Sequence, residues 1–66
     1  MSEIMTLSNG DRVLFDYGAY RDGRTKITVS LVTGNSEDGT LCIYHGVSDN
    51  GADALKRAYT KARKGK

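Results

Sequence analysis

Few residues in this chain can do acid–base or nucleophilic chemistry: it has one histidine, His45, and one cysteine, Cys42. General acid–base catalysis needs a positioned base that titrates near neutrality. The alternation along segment 40–47 turns His45 toward the apolar side of its strand, where a hydrogen-bonded structural role is expected. Cys42 sits mid-strand with Lys26 as the nearest cation it can approach, so it reads as a small filler and not as an activated thiolate. One cysteine and one histidine cannot complete a four-ligand zinc site. A lone cysteine also forms no internal bridge, which excludes a disulfide-dependent scaffold. Asp16 and Lys26 fall on diagonal positions across a hairpin and pair weakly at most. The glycines fall in hairpins rather than between a strand and a helix start, so no phosphate-cradling loop is present. Asn50-Gly51 does open a helix, but Asp49 and Asp53 oppose an anion there. The expectation is a protein that works without catalysis and without a cofactor.

What remains is binding, and the charges are unevenly placed for it. Residues 1–53 hold all eight acids against four bases, a net of −4, whereas residues 54–66 hold six bases and no acid. Cations near a helix C-terminus complement its dipole, which accounts for part of this run. The other reading is a basic patch, led by Lys56 and Arg57, that meets phosphate or an acidic protein surface.

The elements that position these groups can be read from punctuation and alternation. The chain has 66 residues with 38% hydrophobic residues and no proline, enough for one small domain over 1–66 with a core near the lower limit of size. Asn9-Gly10, Asp22-Gly23 and Asp38-Gly39 separate alternating or β-branched segments at about 3–7, 11–20, 25–33 and 40–47. A helix is predicted over about 49–63, and 63–66 form a basic C-terminal tail. The fold class is α+β: a three- to four-stranded antiparallel β-meander with one C-terminal α-helix packed on one face.

Register follows from the Asp22-Gly23 turn. A two-residue loop would drive Asp16 onto the apolar face, whereas a three-residue loop, Arg21-Asp22-Gly23, puts glycine in the left-handed position of a G1 bulge. Val13, Phe15 and Tyr17 then oppose Leu31, Val29 and Ile27, and Leu41 and Ile43 are expected to extend that face. Ser48 is expected to cap the helix, with Asn50 and Asp53 as the competing cap. Ala52, Leu55, Ala58, Tyr59 and Ala62 make its apolar stripe, and three alanines among five bring it close to the sheet.

One sheet face is therefore covered and the other open. The open face is expected to carry Arg12, Leu14, Asp16, Tyr20, Lys26, Thr28, Ser30, Val32, Cys42 and Tyr44. Tyrosine and arginine are enriched where proteins meet, since they bring large contact area with a polar handle. This composition reads as an interface, against the alternative of an ordinary amphipathic surface.

The stretch Ala19-Tyr20-Arg21-Asp22-Gly23-Arg24-Thr25-Lys26-Ile27, followed by Val29, Leu31, a second glycine-bearing turn, a third strand and a helix, resembles the small phage-borne anti-CRISPR proteins directed at type I-F surveillance complexes. The likeness covers about residues 13–60. It implies a protein that docks on the crRNA-guided complex and blocks access to target DNA, with sheet tyrosines among the contacts. Tyr20 matches such a position. The family's N-terminal contact tyrosine falls near Thr6, and its second C-terminal helix is missing here.

Three strands and a C-terminal helix also resemble the arm-binding domains of phage integrases, which insert a sheet into the major groove. That likeness implies a nucleic-acid-binding module with Arg12, Tyr20, Lys26, Thr28 and the basic helix end as contacts, although residues 1–53 are net acidic. A monomer or a homodimer paired through an exposed strand edge fits the same pattern. No apolar run approaches the ~18 residues that cross a bilayer and no leader precedes Ser2-Glu3, so no membrane partner is expected. The expected place of action is the cytoplasm of a bacterial host, against a protein or ribonucleoprotein partner.

Overall fold

The computed structural model describes residues 2–64. Four antiparallel strands, β1 (Ser2–Thr6), β2 (Arg12–Ala19), β3 (Thr25–Thr33) and β4 (Cys42–Ser48), form one sheet in the order β1-β2-β3-β4. The helix α1 (Gly51–Lys64) follows and lies over β3 and β4. This is the expected meander with its C-terminal helix, in its four-stranded form.

The first two hairpins are built alike. Leu7 N–H donates to Asp11 O at 2.7 Å and Gly10 N–H to Leu7 O at 3.0 Å; Tyr20 N–H donates to Arg24 O at 2.8 Å and Gly23 N–H to Tyr20 O at 3.0 Å. Each three-residue loop ends on a left-handed glycine, Gly10 at φ 91° and Gly23 at φ 89°, a conformation that costs other residues steric strain. The resulting register sets Val13, Phe15 and Tyr17 opposite Leu31, Val29 and Ile27, as the turn chemistry predicts. The third connection, residues 34–41, is held by Thr40, whose N–H donates to Asn35 O at 3.1 Å and whose hydroxyl accepts from Asn35 N–H at 3.0 Å.

Val13, Ile27, Val29, Leu31, Ala54 and Ala58 are the buried core, with Phe15, Tyr44, Leu55 and Tyr59 packed around it. Burying each large aliphatic contributes about 1.5–3 kcal/mol. The helix meets the sheet through its two buried alanines at Gly46, where an added Cβ would run into the Ala54 carbonyl oxygen and stand 2.7 Å from the Ala58 nitrogen. The expected close approach is therefore present, but Ala54 takes the place assigned to Ala52, which is exposed.

Three further expectations are corrected. Leu41 and Ile43 do not extend the core: they are 42% and 52% exposed. Tyr44, Gly46 and Ser48 stand opposite Leu31, Val29 and Ile27 instead, because the helix can approach only where β4 presents glycine. The helix cap is Asn50, whose side-chain oxygen accepts from Asp53 N–H at 2.7 Å. Ser48 is not the cap; its hydroxyl donates to the Asp53 carboxylate at 2.6 Å. Arg63 and Lys64 belong to the helix rather than to a tail, and residues 65–66 lie outside the described residues.

Candidate docking face

Residues directly opposite across an antiparallel pair share a face, so the register defines the side of the sheet away from the helix. One row across the four strands is Ile4, Leu14, Ser30 and His45; the next is Thr6, Arg12, Val32 and Ile43. Asp16, Thr28 and Val47 form a third, and Lys26 stands opposite Gly18 beyond it. Ile4, Leu14, Val32 and Ile43 thus make a diagonal aliphatic stripe that crosses all four strands. Its ends are bare, with Ile4 70% and Ile43 52% exposed, while Leu14 and Val32 are half-buried. Polar groups flank it: Arg12 and Thr6 on one side, Ser30, His45, Asp16 and Lys26 on the other.

Of the residues singled out in the sequence, Arg12, Leu14, Asp16 and Lys26 lie together on this face. Tyr20 follows the end of β2 and is half-buried, with the Arg24 guanidinium carbon 5.4 Å and the Lys26 Nζ 5.9 Å from its ring centroid. The two cations stand within cation–π distance of the ring, beside the Lys26 end of the face. Arg24 is itself tied to Asp22 at 2.7 Å.

Tyr44 and Cys42 do not belong to this face. Pairing with Leu31 and Thr33 puts them on the helix side. There, hydrogen bonding to the Cys42 side chain, followed by burial, raises the Tyr44 hydroxyl above its ordinary range. Lys56 and Arg57 are exposed on α1, across the sheet from the open face, so the eight singled-out residues do not form one site.

Ile4, Ile43, His45 and Val47 were missed. The signal that would have found the three on β4 is Gly46: once glycine is set beneath the Ala54–Ala58 pair, alternation turns 43, 45 and 47 outward. His45 is accordingly not on the helix side. It is exposed, with Nδ1 3.0 Å from Ser30 Oγ. A serine–histidine pair acts as a nucleophile only with an orienting group and oxyanion donors in a water-poor recess. This pair stands beside Leu14 on an uncovered pleated surface.

The helix start adds a local electrostatic knot. The hydrogen bond from Ser48, followed by the charges of Arg57 and Lys56, holds the Asp53 carboxyl below its ordinary range. Arg57 Nε lies 3.0 Å from the same oxygen that Ser48 reaches. Comparison with protein-family models, with curated proteins and with solved structures returned no match.

Proposed function

We propose that this chain acts by binding, without catalysis or cofactor, and that the open face of its sheet docks on a larger protein or ribonucleoprotein assembly. The diagonal stripe of Ile4, Leu14, Val32 and Ile43 carries this reading. Isolated exposed aliphatics are ordinary on protein surfaces, but a continuous stripe bordered by Arg12, His45, Asp16 and Lys26 has the apolar centre and polar rim of an interface. Tyr20, flanked by its two cations, is a half-buried aromatic at the margin of the same face.

The composition also argues for a protein rather than a duplex against the sheet. A sheet inserted into a major groove would carry Asp16 and two bare isoleucines into a strongly negative groove, against base edges, whereas affinity depends on neutralising several phosphate charges at once. The resemblance of the Ala19–Ile27 hairpin to type I-F anti-CRISPR proteins supplies the candidate target, a crRNA-guided surveillance complex, and the candidate activity, blocking its access to DNA.

Immobilised chain mixed with purified type I-F surveillance complex tests the target directly. Capture that weakens at least tenfold, equivalent to ~1.4 kcal/mol, on Tyr20→Ala while thermal unfolding stays unchanged supports this reading. Absence of capture by the unaltered chain removes this target. Capture that ignores Tyr20 removes that residue from the interface.

A further inference from the structure

We propose that the outward half of α1 binds the sugar–phosphate backbone of a nucleic acid, independently of sequence. This goes beyond the docking reading and does not depend on it, since the helix and the open sheet face lie on opposite sides of the molecule.

Lys56, Arg57, Lys61, Arg63 and Lys64 are all exposed. At 3.6 residues per turn they fall within an arc of about 160° on the side away from Leu55, Tyr59 and Ala62, which pack against the core. Of these five cations, only Arg57 has a carboxylate of the described residues within ion-pair distance, Asp53 at 3.0 Å. The helix dipole rewards cations in the last turn and fades beyond it, so it accounts for Lys61, Arg63 and Lys64 but not for Lys56. Arg57 to Lys61 and Lys61 to Lys64 are also like-charge neighbours at helical spacing, which works against the isolated helix. A polyanion laid along the helix relieves that repulsion.

The geometry favours a nucleic acid over an acidic protein surface. From Lys56 to Lys64 the axis advances ~12 Å, giving one cation per ~2–3 Å. The phosphates of one nucleic-acid strand recur every ~3.4 Å along a helix axis, a linear charge density of the same order. Arg57, Lys61 and Lys64 further line a shallow groove of about 410 Å³ beside Gly46 and Val47 of β4, a track for a chain-like ligand. No aromatic side chain lines this groove. Base stacking is therefore not used, and recognition is confined to the backbone.

The test is fluorescence anisotropy of labelled single-stranded and duplex oligodeoxynucleotides of mixed sequence, titrated with the full chain over a series of salt concentrations. Binding is expected at low salt, with log affinity falling linearly in log salt by about 0.7 per contacted phosphate for the single strand and 0.9 for the duplex. Lys61→Gln with Lys64→Gln should leave the circular dichroism unchanged and make the single-strand slope shallower by about 1.4. Lys26→Gln, on the sheet's open face, should change neither. No anisotropy change at low salt, or a slope indifferent to the Lys61/Lys64 pair, overturns the proposal. Polyglutamate competing as well as the oligonucleotide does at equal charge concentration assigns the helix to an acidic protein and overturns it as well.

Discussion

Gly46 of β4 stands directly opposite Val29 of β3, and a methyl group placed on it would lie 2.7 Å from the backbone nitrogen of Ala58. This contact sets how closely the helix seats on the sheet. It also decides which β4 side chains are left outside.

Gly46→Ala therefore tests the seating of α1. The added carbon meets helix backbone, which cannot rotate away as a side-chain tip could, and overpacking of this kind costs about 1–3 kcal/mol. Urea unfolding should show a lower midpoint by that amount with an unchanged slope. A variant as stable as the parent would mean that the helix is not seated on Gly46.

The left-handed glycines separate strain from crowding. Gly23 has open space around an added Cβ, so Gly23→Ala should show only the left-handed penalty, about 1–2 kcal/mol. Gly34, at φ 76°, would in addition press its new carbon against Thr40, 2.6 Å from its carbonyl carbon. Gly34→Ala should be the more damaging of the two in the same unfolding assay; the reverse order would contradict the loop geometry.

The helix start gives a stability and a pH prediction. Asn50→Ala removes the cap to Asp53 N–H and should cost about 1 kcal/mol. The Asp53 carboxyl titrates below its ordinary 3.8 in the folded chain. Its contribution is therefore complete above that ordinary value and is lost as pH falls through the lower folded one. Ser48→Ala deletes the leading cause of the shift, so the fall in urea midpoint between neutral and strongly acidic solution should shrink. An identical acid limb in the variant would show that Ser48 does not hold this carboxylate.

The strands, the three-residue loop at Asp22-Gly23 and the β2–β3 register were legible in the sequence because each rests on local chemistry. Glycine follows asparagine or aspartate at the bulge, and Asp16 is excluded from the apolar side. β4 was not legible in the same way. Its connection to β3 spans eight residues, too long to pass register across. The apolar character of Leu41 and Ile43 then suggested the wrong parity, although both are exposed. What sets the parity is nonlocal, the fit of Ala54 and Ala58 over Gly46, and it carries Tyr44 inward and His45 outward. The open face was thus half legible: its β2 and β3 residues were placed correctly, and its two edge isoleucines were not identified.

The most direct measurement of the docking account is capture of purified type I-F surveillance complex by the double variant Ile4→Asp with Ile43→Asp. Both side chains are exposed, at 70% and 52%, and changes at exposed sites usually stay within about 0.5 kcal/mol of the parent stability. The account predicts an unchanged melting curve and capture weakened tenfold or more. Capture at the parental level by the folded double variant would contradict it.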